Sequence, residues 1–286
     1  MRRAFVRIPE EWVVEERRKV GPFVTRERYR LPDGSILTWS SRRHRKTGLV
    51  EEDHAALERS WWQPRRLGWW IAVLFMVGAF LFALGAFPPY ADRVDPRIVG
   101  VTYFVGSLFF TSAGYLQYVE TINAAEGVRV SSGHGRRRLL AWQPGRIDWW
   151  SASVQSVGTV LFNISTFSAL DATFSQQQQE RLVWAPDMLG SIAFMVASTL
   201  AWLEVCGGWW RWSPGDTSWR IVALNLGGSI AFQLSAIAAF IRPTTGEVVN
   251  LPIANLGTFV GAVGFFLGAA LLIPEMQGRS EPSSQA

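Results

Sequence analysis

Three glutamates recur at one offset along the chain. Glu120, Glu204 and Glu275 each stand fourteen residues after a glycine (Gly106, Gly190, Gly261) and four after a leucine (Leu116, Leu200, Leu271). Carboxylates at matched positions admit two chemistries. They can form interfacial ion pairs, with Arg66 and Arg146 as partners and Arg220 as a weaker third, or they can ring a pseudo-threefold axis as a cation or proton mouth. A second set, Asn163, Asn225 and Gln233, places amides inside apolar runs, as do Gln117 and Gln155. Such amides either hydrogen-bond across helices, for about 0.6 kcal/mol each, or line a substrate path. Asp171 and Asp187 flank the opposite end and could share a cation, although helix-start roles are commoner for aspartates so placed.

Catalytic sets are missing from this inventory. His44, His54 and His134 all lie outside the apolar runs, so no buried histidine pair is available to haem or a membrane metal centre. There is no His-Glu-x-x-His, no Gly-x-Ser-x-Gly and no phosphate-cradling glycine loop. Cys206, the one cysteine, excludes an internal disulfide, and its place before Gly207-Gly208 at a helix end reads as an inert thiol. No run carries a charge at its middle, which argues against proton coupling or voltage sensing. The expectation is a protein that is not an enzyme, with no cofactor and no metal.

The elements that must position these groups follow from the apolar runs. Of 286 residues, 49% are hydrophobic, with 15 Trp and 18 Phe. Beyond residue 67 they gather into runs of about 20, enough to cross a hydrocarbon layer about 30 Å thick. The runs predict six spans, at 69–87, 97–120, 149–170, 187–205, 219–241 and 255–274, separated by turn-forming stretches such as Pro88-Pro89-Tyr90 and Asp95-Pro96. The net charge of +5 comes from arginines beside the runs, which reads as topology and anionic lipid rather than nucleic-acid binding. Arg59, Arg65, Arg66, Arg129, Arg136, Arg137, Arg138, Arg146, Arg211, Arg220 and Arg279 fall on the side of the N-terminus, against Arg93, Arg97, Arg181 and Arg242 on the other. The positive-inside rule then puts both termini in the cytoplasm. With Lys19 and Lys46 the only lysines beside many arginines, the composition fits a GC-rich bacterial genome and a bacterial inner (plasma) membrane.

Residues 1–66 contain no long apolar run, and their start lacks the apolar stretch of a signal peptide. They read as a cytoplasmic segment: a short helix at best around residues 10–19, then a β-hairpin from Phe23–Leu31 and Ile36–Trp39 across Pro32-Asp33-Gly34. The basic cluster Arg42, Arg43, His44, Arg45, Lys46 reads equally as a solvated turn or a contact for anionic headgroups. Residues 51–62 predict a short interfacial helix, and 276–286 a disordered tail.

The membrane domain, 67–275, repeats itself. Three lead-ins share Trp-x-Pro, a second Trp, then Gly and Phe at fixed spacing: Trp62, Pro64, Trp69, Gly78, Phe82; Trp142, Pro144, Trp149, Gly158, Phe162; Trp212, Pro214, Trp219, Gly228, Phe232. The intervening runs carry Gly106 with Phe110, Gly190 with Phe194, and Gly261 with Phe265. These twelve Gly and Phe positions read as helix-packing residues, because small residues let membrane helices approach closely. At about 100° per residue the second Trp lies roughly opposite them, which predicts that it faces lipid. The units span 62–120, 142–204 and 212–275 and are parallel to one another. Paired short helices bearing a Gly-Ser-apolar-x-Phe word resemble the YrhK-like domain, a small bacterial two-helix membrane module. The resemblance implies an integral membrane protein and supplies no active site. The fold expected is all-α integral membrane, six transmembrane helices as three repeated antiparallel hairpins, with a small N-terminal segment holding a β-hairpin. The function expected is a non-enzymatic membrane scaffold or interaction module meeting membrane lipid and a protein partner or a second copy; the alternative is a small transporter or channel between the three helix pairs.

Overall fold

The computed structural model describes residues 12–47, 61–124, 137–242 and 245–277. The helix expected at 51–62 and the tail at 276–286 fall largely outside them. A small antiparallel sheet comes first, in the order β1 (Val13–Val20), β2 (Phe23–Arg30), β3 (Ile36–Ser40). The hairpin of β2 and β3 turns at Gly34, whose φ of 83° suits glycine, and the Gly34 amide donates to the Leu31 carbonyl at 2.9 Å.

The stretch expected to be helical is instead β1, paired with β2 from Val13 opposite Arg30 to Val20 opposite Phe23. Its charges explain why. Glu15, Glu16 and Arg17 form ion pairs with Arg30, Arg28 and Glu27 across the two strands, and Gly21 with φ 54° makes the reversal. Tyr29 is fully buried and donates its hydroxyl to Glu27. Burial, together with that carboxylate, raises the Tyr29 pKa above its ordinary value. A raised folded-state value favours the neutral phenol, so this contribution is present below about pH 10, the unfolded value, and is lost as pH rises above it. The sheet is expected to weaken above about pH 10, and tyrosinate absorbance followed in the parent and in Tyr29→Phe should locate the late-titrating phenol.

A seven-residue helix, α1 (Ser41–Thr47), follows β3 directly. Six long helices then form a closed ring in chain order: α2 (Leu67–Ala86), α4 (Pro96–Asn123), α5 (Ile147–Ser168), α7 (Ala185–Cys206), α8 (Thr217–Ala238) and α9 (Leu251–Met276), with α9 packed back on α2. Two single turns, α3 (Pro88–Ala91) and α6 (Gln176–Gln179), lie in the connections. The chain between the expected spans 149–170 and 187–205 is helical from Gln176 onward. A capping box of Ser175 and Gln178 starts it, and a π-helical turn, Glu180–Trp184, precedes Pro186, whose missing N–H an unbroken α-helix would leave unmatched.

Among the described residues, five stretches are long and apolar enough to cross a membrane: Leu67–Ala86, Pro96–Asn123, Gln176–Cys206, Thr217–Ala238 and Leu251–Met276. The expectation of six therefore exceeds what length and composition give. The exception is α5, with 22 residues but many serines, threonines and amides. Those groups bond to its neighbours: Gln155 to Gln117, Ser156 to the Gly114 carbonyl, Asn163 to Thr111, Ser151 to the Ala197 carbonyl and Ser165 to the Val183 carbonyl.

The helices pack in three pairs through the glycines. A Cβ built on Gly78 would sit 3.0 Å from the Gly106 carbonyl oxygen, and one on Gly106 3.2 Å from that of Gly78. Gly158 with Gly190 and Gly228 with Gly261 repeat this reciprocity at 2.9–3.2 Å. Each glycine also lies against the other helix's phenylalanine, Gly78 on Phe110 and Gly106 on Phe82, an exchange that only antiparallel helices allow. The six phenylalanines meet at the centre. Phe82, Phe162 and Phe232 form one triangle with centroids 6.0–6.3 Å apart. Phe110, Phe194 and Phe265 form a second, at 5.4–6.2 Å. Contacts of 5.1–5.6 Å within each pair join the two triangles into a prism.

The second tryptophan of each lead-in is buried, contrary to the lipid-facing position its helical angle predicted: Trp69 is 4% exposed, Trp149 5% and Trp219 7%. The lead-in folds back over it. Its indole N–H donates to a carbonyl eight residues earlier, on Trp61, Ala141 and Arg211, and the first Trp stacks edge-on at 4.8–4.9 Å. Exposed aromatic groups at this end include Trp61, Trp62, Trp70, Trp142, Trp150, Trp209, Trp210 and Trp212.

Candidate functional site

The repeated glutamates converge at one mouth of the ring. Each lies in the last turns of the second helix of its pair, Glu120 in α4, Glu204 in α7 and Glu275 in α9, where the helix dipole disfavours a negative charge. Asp148 joins them from the first turn of α5. Buried carboxylates require cations close by. The cations do not come from Arg66 and Arg146, the partners expected from depth alone. Arg66 donates to the Met276 carbonyl, and Arg146 serves Asp148, the Ala124 carbonyl and Gln143.

Helix α1 supplies them instead. Arg42, Arg45 and Lys46 fall at i, i+3 and i+4, one face of a helical turn, and that face enters the mouth. Arg42 grips Glu275 with two bonds, Nε to Oε1 at 2.7 Å and Nη2 to Oε2 at 3.1 Å. Arg45 reaches Asp148 Oδ2 at 2.5 Å and both oxygens of Glu204 at 3.2 and 3.3 Å. Lys46 Nζ meets Glu120 Oε2 at 2.5 Å. Each glutamate therefore receives its own cation, and Ser41 and Ser218 add bonds to Glu204 and Glu275. The side chains of Asp148 and Glu204 are 2% exposed and that of Arg45 7%. Burial opposes the charge on Arg45, but Glu204, Asp148 and Glu120 outweigh it and hold its pKa above the ordinary guanidinium value. Arg42, Arg45 and Lys46 of the basic cluster thus serve neither a solvated turn nor a headgroup contact. Nothing in local pattern alone distinguished it, but three cations on one face opposite three matched carboxylates was a findable signal.

Below α1 lies a cavity of about 50 Å³ on the axis. Arg42, Arg45 and Lys46 roof it, Gln117, Gln155, Asn225, Ser151 and Ser198 give its polar walls, and Phe75 and Phe265 lie at its apolar side. At about 10–15 Å³ per water, it has room for three or four. Phe75, Gln155 and Asn225 each precede a pairing glycine by three residues, so the wall repeats by position while its chemistry does not. Of Asn163, Asn225 and Gln233, only Asn225 lines the cavity. Asn163 bonds to Thr111 Oγ1 at 2.7 Å and Gln233 to Met188 Sδ at 3.0 Å, both between neighbouring helices. The wall amides Gln117 and Gln155 bond to each other at 3.2 Å, Gln117 donating.

At the opposite end, Asp171 accepts from the amide and hydroxyl of Thr173 and shapes a turn. No group of three or more His, Cys, Asp or Glu among the described residues is arranged to hold a metal. Cys206 is buried ahead of the helix-ending Gly207.

No family model matches the chain, and no solved structure matches it. A curated relative, the cytochrome c biogenesis protein CcsA of Lemna minor, is 28% identical over 165 residues, covering 57% of this chain. The chain spans 37% of that relative's length. The described helices and this likeness agree at one level: the chain is a membrane protein with several helices able to cross a bilayer.

Proposed function

We propose that the chain is a six-span, non-enzymatic scaffold of a bacterial inner membrane, built of three YrhK-like hairpins, that holds its N-terminal sheet at the cytoplasmic face for a protein partner, lipid or a second copy. The observation that carries the scaffold reading is the phenylalanine prism: one ring from each of six helices fills the axis where a path would run. Counting α5 as the sixth span rests on its outer face, where Val157, Val160, Ile164 and Phe167 are exposed while its polar groups bond to α4 and α7. The surface supports lipid as solvent. Many leucines, isoleucines and valines point outward from the ring, and so broad an exposed apolar surface is rare on a water-soluble monomer. Orientation rests on the arginine count at the α1 end.

A small transporter is the second reading, favoured by the polar cavity on the axis. The cytochrome c biogenesis role stays with the Lemna protein. Reconstitution into liposomes separates the first two readings. The scaffold predicts no solute-specific uptake across a panel of ions and small metabolites, in the parent and in Glu120/Glu204/Glu275→Gln alike. Selective uptake by the parent, abolished in that variant, would overturn it.

A further inference from the structure

We infer that α1 is a door: it closes a one-ended polar vestibule, and charge rather than apolar burial holds it shut. Three observations meet here. The cavity is bounded on the mouth side by Arg42, Arg45 and Lys46 of α1 and by no other cation among the described residues, so lifting α1 removes its roof. The prism lies on the other side, so the space has one way out.

The third observation is the composition of the door. Helix α1 reads Ser-Arg-Arg-His-Arg-Lys-Thr, with no aliphatic or aromatic side chain but the imidazole of His44, so apolar burial does not glue it to the ring. What seats it is Ser41 on Glu204 and three cations on four carboxylates. Among the described residues, only Arg146 of the ring itself is within ion-pair distance of any of these carboxylates. Four carboxylates against one guanidinium leave three net negative charges when α1 is absent, and α1 carries three positive charges into the mouth. A contact so composed closes tightly while both sets are charged and has nothing to hold it once either set is neutralised. The same helix continues from β3, so the door moves with the sheet. An event on the sheet and access to the vestibule become two ends of one lever.

The test places a thiol in the vestibule wall. Ala197 lines it and is 2% exposed, and Cys206→Ala removes the native thiol. In the full chain in detergent, a water-soluble charged methanethiosulfonate is expected to label Ala197→Cys slowly, and at least about tenfold faster when Arg42, Arg45 and Lys46 are all changed to Gln, the factor expected when a buried site becomes open. Equal rates in the two proteins would overturn the door. A second measurement needs no altered mouth. Trypsin should spare Arg42, Arg45 and Lys46 in the parent while cutting at the exposed Arg137 and Arg138, and should cut α1 once Glu120, Glu204 and Glu275 are Gln. Cleavage of α1 in the parent as fast as at Arg137 and Arg138 also sinks it. Uptake in liposomes with α1 still protected would defeat the scaffold and leave the door standing.

Discussion

Gly261→Leu is expected to destabilise the membrane domain by about 3 kcal/mol or more, at the upper end of overpacking costs. A Cβ there would already lie 2.9 Å from the Gly228 carbonyl oxygen and 3.0 Å from the Phe232 ring. The first neighbour is backbone and cannot turn aside. The second belongs to the central prism, so displacing it disturbs Phe82, Phe162 and Phe265 as well. At about 2–4 °C per kcal/mol for a domain of this size, the thermal midpoint should fall by about 6–12 °C. Gly227→Leu is the internal control, since a Cβ on Gly227 meets nothing within 4 Å. Thermal denaturation in detergent, read by loss of the monodisperse species, compares the two. Similar midpoints for both would show that α8 and α9 are not joined through their glycines.

The second large effect is expected at Arg45. Its guanidinium spans Asp148 and Glu204, both nearly sealed from solvent. Arg45→Gln leaves Asp148 with Arg146 but leaves Glu204 with Ser41 and no cation. Removing one partner of a buried pair costs about 3–5 kcal/mol, chiefly because the remaining charge has no counterion. The cause is therefore separable from lost packing. Arg45→Gln with Glu204→Gln should recover about 1–3 kcal/mol of that loss, the coupling expected between contacting groups. A double variant no more stable than Arg45→Gln, in the same melt, would mean the pair does not exist. Arg45→Lys should fall between, because one ammonium cannot span both carboxylates as the planar fork does.

Sequence pattern carried the membrane domain a long way and stopped at the surface between domains. The Gly and Phe spacing anticipated which residues pack, because helical periodicity and close backbone approach are local properties that spacing encodes. Trp69, Trp149 and Trp219 were misread because their burial comes from a lead-in folding back over the helix end, which the angle around one helix does not contain. The carboxylates were identified and their partners were not. Glu275 and Arg42 are 233 positions apart, and depth in the bilayer pointed to the arginines at hand. Residues 10–19 read as a short helix at best, because the strand that answers the charges of Val13–Val20 lies outside that stretch. Polarity made α5 fall short of the composition for a crossing helix, although its hydroxyls and amides are spent on α4 and α7.

The contact of α9 with α2 has a geometric corollary. A ring that closes on itself has a fixed circumference, and the hole it encloses grows with every pair admitted. Six benzyl groups span the present bore with centroids no more than 6.3 Å from their neighbours; with two more helices the same groups would no longer touch across the middle, and with two fewer they would collide. The volume of one kind of side chain thus sets how many helix pairs can share the circle.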